Sequence, residues 1–155
     1  MDVSKLVIHM VEFSSNWSQP GNTVGRVTIN GLHATGVYRS ALSAESWAAE
    51  PITNVVMRDV QAEYAGGGKA WPAGQLVKSP GVVARPLPAW GLYARHVQTL
   101  TLEDTRFSLT ADDFRPVINV DGVRQLNLDG FKFARVRGVS EPVVTTNIGK
   151  LFQNP

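Results

Sequence analysis

The chain has no cysteine and only three histidines, His9, His33 and His96. Disulfide staples and thiolate metal sites are therefore excluded, and the histidines lie too far apart in sequence to suggest metal-ligand spacing. No metal and no cofactor are expected. Charge is also sparse, with 15 Lys and Arg against 13 Asp and Glu, a net of +2. The basic residues form no run that could track a phosphate backbone, so nucleic acid is not an expected partner. No segment approaches the roughly 20 apolar residues that a bilayer span requires, and no membrane partner is expected. The start, Met1 to Lys5, lacks a basic stretch leading into an apolar one, so no signal peptide is expected and localisation stays unassigned. Asn16-Trp17-Ser18 fits a glycosylation sequon, which carries no weight without a secretory signal.

What the chain does contain is a repeat. Val24, Val27, Ile29, Leu32 and Ala34 set out a pattern that returns as Ile52, Val55, Met57, Val60 and Ala62. It returns again as Val97, Leu100, Leu102, Thr105 and Phe107, and as Val123, Leu126, Leu128, Phe131 and Phe133. The equivalent residues Val27, Val55, Leu100 and Leu126 are 28, 45 and 26 residues apart. Apolar residues two apart, a three-residue step, then two apart again describe two short strands joined by a bend. The bend dipeptides are polar: Asn30-Gly31, Arg58-Asp59, Glu103-Asp104 and Asp129-Gly130. A third strand is expected ahead of each pair, as in Gly91–Ala94 and Pro116–Val120. A unit that cannot bury its own apolar face must stack on copies of itself. The expected fold is all-β, a right-handed parallel β-helix of about five coils. Period-two spacing and abundant Val, Thr and Phe exclude helical repeats.

With 155 residues, 43% of them hydrophobic, the chain is one domain in size, able to bury roughly 68–70% of its unfolded surface. Lys5 to Phe13 reads as a first, less regular coil, Ser14 to Asn22 as a polar loop, and Ala44 to Glu50 as a single helical turn. Residues 65–90 form an inserted loop rich in Gly and Pro, and a loop that long in a compact domain is a functional candidate. Gly66-Gly67-Gly68 is not a phosphate loop, since no Lys-Ser/Thr follows, and reads as a flexible strand exit.

Pro51-Ile52-Thr53-Asn54-Val55-Val56-Met57-Arg58-Asp59-Val60, running into Glu63-Tyr64-Ala65-Gly66-Gly67-Gly68, resembles bacterial members of the polygalacturonase family, glycoside hydrolase family 28, with its pectin-lyase-like fold. Leu87-Pro88-Ala89-Trp90-Gly91-Leu92-Tyr93-Ala94-Arg95-His96-Val97, then Phe107-Ser108-Leu109 and Asp113-Phe114-Arg115-Pro116, extend the resemblance over most of the chain. It implies the C-terminal part of a larger β-helix, a pectin-like polysaccharide as partner, and a secreted or periplasmic setting. It also implies inverting hydrolysis of α-galacturonide bonds, which needs one carboxylic acid on the leaving oxygen and one carboxylate on water. The family's Asn-Thr-Asp, Gly-His-Gly and Arg-Ile-Lys motifs are absent here. The expectation is a carbohydrate-active protein without its own catalytic acids; the alternative is a noncatalytic polysaccharide-binding or purely structural β-helix.

Asp112-Asp113 is the only adjacent acidic pair, and reads either as an acid pair or as a turn capped by Thr110. Trp90, Tyr93, Arg95 and His96 close the long loop, and an aromatic surface beside a guanidinium suits a sugar ring bearing a carboxylate. The competing reading sends half of them into the core by strand alternation. Tyr38 and Arg39 invite the same two readings, and Trp71 could wall a groove or staple its loop. A stack of strands that ends between repeats exposes unpaired backbone groups, so self-association is expected unless Lys5 to Trp17 caps the first coil.

Overall fold

The computed structural model describes residues 7–10, 23–37, 41–79 and 85–155. For residues 7–10 it places the backbone strand alone. The proposed cap over Lys5 to Trp17 otherwise lies outside the described residues, as do Tyr38 and Arg39. The described chain is all-β, with twelve strands, no helix, and therefore none long and apolar enough to cross a membrane.

Every strand pairing is parallel, and the strands fall into two sheets. The first holds β1 (Val7–Met10), β2 (Arg26–Asn30), β4 (Leu42–Ser46), β5 (Ile52–Arg58), β7 (Leu92–Glu103), β9 (Ile118–Asp129), β11 (Val143–Thr146) and β12 (Lys150–Asn154). The second holds β3 (His33–Val37), β6 (Gln61–Tyr64), β8 (Arg106–Leu109) and β10 (Lys132–Phe133). In the first sheet Val27 pairs in register with Val55, Val55 with Leu100, Leu100 with Leu126, and Leu126 with Leu151. The residues matched by the repeat therefore occupy one column. In the second sheet Ala34, Ala62, Phe107 and Phe133 form the corresponding column.

The bends between the sheets are also in register. Gly31, Asp59, Asp104 and Gly130 all have positive φ, between 45° and 69°. A left-handed residue reverses the strand sharply, and Gly and Asp are the types that tolerate it. The backbone ladder continues through the turn: Gly31 N–H donates to Arg58 O at 3.1 Å, Asp59 N–H to Glu103 O at 3.1 Å, and Asp104 N–H to Asp129 O at 2.9 Å. Stacked turns thus satisfy one another, and none needs a separate cap.

The expected third strands exist as the first halves of β7 and β9. Each long strand breaks direction at a second left-handed residue, His96 in β7 and Gly122 in β9, and Asn147 repeats this between β11 and β12. The expected helical turn at Ala44 to Glu50 is corrected. Leu42–Ser46 is strand β4, because it pairs with both β1 and β7, and residues 48–50 are bends. Tertiary pairing overrides the weak helical preference of Ala and Glu there.

Between the sheets lies one continuous core, including Ile52, Val55, Leu100, Leu102, Leu126 and Leu128, all 1% exposed or less. Tyr64, Trp90 and Phe107 pack edge to face within it, with centroids 5.5 to 6.5 Å apart. The Tyr64 hydroxyl donates to Gly91 O at 2.7 Å, and burial pushes its phenol pKa well up.

Candidate functional site

Strand alternation on β4, β7 and β9 decides which side chains leave the core. Leu42, Ala44, Leu92, Ala94, Ile118 and Val120 point into it. Their neighbours Ser43, Glu45, Tyr93, Arg95, Asn119 and Asp121 belong to the opposite face. Parallel register lines these up in two rows, Ser43–Tyr93–Asn119 and Glu45–Arg95–Asp121, with Thr146 of β11 extending the second.

The second row is wired together. One Arg95 Nη donates to Asp121 Oδ2 at 2.8 Å, and Asn147 Nδ2 donates to Asp121 Oδ1 at 3.1 Å. The Arg95 guanidinium also lies over the Trp47 ring, 4.3 Å from its centroid, a cation–π contact. Trp47 Nε1 donates in turn to Glu45 Oε2 at 2.8 Å, and the same oxygen accepts from an Arg85 Nη. Glu45 is fully buried, and a buried carboxylate is stable only when paired in this way. Tyr93, in the neighbouring row, has its phenol pushed up to about 12, first by burial and then by the Glu45 charge, against the opposing pull of Arg95.

Above this face runs the inserted loop, which carries no regular secondary structure among its described residues. Two clefts open along it. The first, about 470 Å³, is lined by Trp47, Trp71, Tyr93, Arg95, Asn119 and Asp121, with Gln75, Leu76 and Val77 on the loop side. The second, about 650 Å³, is lined by Gly66 to Trp71, Gln75, Arg85, Leu87 and Arg115. Trp71 and Gln75 border both. Trp71 Nε1 donates to Gln75 O at 3.0 Å, so its own loop satisfies the indole and fixes the ring. Both volumes fall within the roughly 300–1,000 Å³ of small-ligand sites. A cavity beside Trp90 and Phe133, about 130 Å³, is below that range.

The glycine run is pinned, where a flexible strand exit is the expectation from sequence. Gly67 N–H donates to Asp112 O, and Gly68 N–H to Asp113 Oδ2, both at 2.9 Å. A Cβ on Gly68 would sit 2.5 Å from that carboxylate, and one on Gly66 would sit 2.0 Å from Ala111 O. Only glycine allows so close an approach.

The predicted residues separate accordingly. Arg95 lines the first cleft, whereas Tyr93 lies at its floor, 1% exposed and packed with Ala41 and Leu87. Trp90 is 3% exposed and belongs to the aromatic core. His96 occupies the left-handed bend of β7 and lines a separate cleft of about 380 Å³ with Arg124 and Asn147. Asp112 is exposed, whereas Asp113 is fully buried. Burial alone would raise the Asp113 pKa, but the Arg115 side chain, its backbone N–H and its charge, together with Gly68 N–H, outweigh that and hold it below the usual carboxylate range. Arg115 reaches Asp113 through Nε at 2.9 Å and Nη2 at 2.7 Å, and its Nη1 donates to Leu87 O at 3.1 Å. Asp113 thereby ties the start and end of the inserted loop to the segment after β8.

Glu45, Trp47, Arg85 and Asp121 were not singled out from sequence. The available signal was the repeat, and it reached Asp121 alone, which precedes Gly122 as Arg95 precedes His96. Among the described residues no cluster of three His, Asp or Glu could hold a metal ion. No protein-family model, curated protein or solved structure matches the chain.

Proposed function

We propose that the chain is a stretch of right-handed parallel β-helix that binds an acidic polysaccharide of the pectin type, as a polygalacturonase-like carbohydrate-active protein whose hydrolytic acids are not in these residues. The observation that carries this reading is the first cleft, where the Arg95 guanidinium, set over the Trp47 ring, shares the lining with Trp71. Sugar rings present apolar C–H faces that stack on indoles, and a uronate adds a carboxylate that a guanidinium recognises. Asp121 and the Trp47 ring hold that guanidinium in place before a ligand arrives, which lowers the ordering cost of binding. Support for binding over hydrolysis comes from Asp113, the one member of the adjacent acid pair that is fully buried: it is committed to Arg115 and Gly68, and borders neither cleft.

Calorimetric titration with oligogalacturonates, beside a reducing-sugar assay on polygalacturonate, tests the reading. Binding without release of reducing ends is the expected result. Indifference to every acidic oligosaccharide, or turnover of the polymer by the 155-residue chain, overturns it.

A further inference from the structure

The two clefts carry the same device. In the first, Arg95 is held by Asp121, and in the second, Arg85 is held by the buried Glu45. In each case the protein's own carboxylate takes a terminal nitrogen, and the buried guanidinium Nε–H has no acceptor among the described residues. Each guanidinium keeps terminal N–H groups beyond the one that its carboxylate takes, and these are the donors left for a carboxylate on a bound molecule. The second cleft adds two further cations, Lys69 and Arg115. Arg115 engages Asp113 and Leu87 O through all three guanidinium nitrogens, and the Asp113 carboxylate pairs its charge, so Lys69 is the cation that matters here. Lys69 is exposed and has no hydrogen-bond or ion-pair partner among the described residues, so its ammonium is available. Trp71, fixed by its bond to Gln75 O, stands between the two clefts and borders both.

We infer that the Lys69–Arg85 cleft is a second carboxylate-binding subsite, and that one linear acidic saccharide crosses Trp71 to occupy both clefts. This rests on the acidic-polysaccharide reading and adds to it a minimum ligand length and a second set of recognition residues. A single sugar acid fills one cleft; the second subsite is engaged only when the chain extends past the Trp71 ring.

The test is calorimetric titration of the full chain with galacturonate oligomers of increasing length, using the wild type, Lys69→Ala and Lys69→Glu. Lys69 supports no part of the fold, so these variants keep the wild-type unfolding midpoint. Affinity should rise stepwise once the oligomer is long enough to span both clefts. Loss of one charge-assisted contact should then cost the longer oligomers about tenfold while leaving the shortest binder unchanged. Fully methyl-esterified oligomers, which lack the charge, should not distinguish the variants. A Lys69 effect equal at all lengths is a field effect and overturns the second subsite, as does affinity that gains nothing with length. Either result leaves binding in the first cleft intact. Failure of the wild type to bind any of the oligomers removes both the reading and this extension of it.

Discussion

Replacing Asp113 with Asn separates a structural carboxylate from a catalytic one. Asp113 accepts four hydrogen bonds, from Gly68 N–H, Arg115 N–H, Arg115 Nε and Arg115 Nη2, at 2.7 to 3.1 Å. Asn keeps one acceptor oxygen but turns an NH₂ toward donors, and it removes the charge opposite Arg115. Breaking a buried ion pair costs about 3–5 kcal/mol. The Arg115 side chain is 21% exposed and regains some hydration, so the lower end applies, about 3 kcal/mol. In a domain of this size each kcal/mol moves the melting temperature by about 2–4 °C, giving a fall of about 6–12 °C. Denaturant unfolding should show a matching drop in midpoint at unchanged slope. The acid limb provides a second reading. The native pKa is depressed, so the stabilisation is present above the unfolded value of about 3.9 and disappears as pH falls through the lower native value. Asp113→Asn should therefore differ from wild type at neutral pH and converge with it in strong acid. A variant within about 0.5 kcal/mol of wild type at neutral pH, the range of an ordinary surface change, refutes the pin.

Three further outcomes follow from the core and the cleft. Leu126→Ala, in the middle of the stacked column, should cost about 2–5 kcal/mol in chemical denaturation, and a loss under 1 kcal/mol would contradict the packing. Gly91→Ala would place a Cβ 2.7 Å from Val117 O and 2.8 Å from the Phe107 ring, both within the core, so it should destabilise by more than the about 1 kcal/mol typical of point mutations. A well-folded Gly91→Ala chain with wild-type stability would sink that account. The Tyr93 phenol, raised to about 12, should stay protonated through pH 10 in an ultraviolet phenolate titration. Stability linked to it is complete below about pH 10 and fades between there and about pH 12; ionisation of all three tyrosines near pH 10 would contradict the burial.

The repeat made the core legible because period-two alternation and the column of stacked residues express the same constraint. A residue that fills the inside of one layer must match the residue above and below it, so Val27, Val55, Leu100 and Leu126 could be aligned by eye and prove to be in register. The bends were legible for a related reason, since a left-handed residue favours Gly or Asp and both are easily read. Two signals were lost. Leu42–Ser46 is a strand only because β1 and β7 flank it, and nothing local in Leu-Ser-Ala-Glu-Ser favours extension. The glycine run looked flexible because its constraint comes from Asp112 and Asp113, some 45 residues away.

The site was half legible, and the missing half explains the rest. Arg95 could be named from local sequence because the loop ends beside it, but Tyr93, named with it, is buried against Ala41 and Leu87. Trp90, three residues earlier, carries the same chemistry but lies in the irregular segment ahead of the strand, where the chain turns its ring toward Tyr64 and Phe107. Nothing in its identity distinguishes the two fates. What gives Arg95 its use is the register, which sets an acid on each neighbouring strand, Glu45 on one side and Asp121 on the other. In a parallel stack, adjacent strands stand about 4.8 Å apart, so residues distant in sequence become a row at fixed spacing. The row holds one guanidinium in a set position, and the buried Glu45 extends that order to a second guanidinium across the loop. A cleft built this way owes its geometry to the pairing of the sheet, and its loop supplies the indole that divides it.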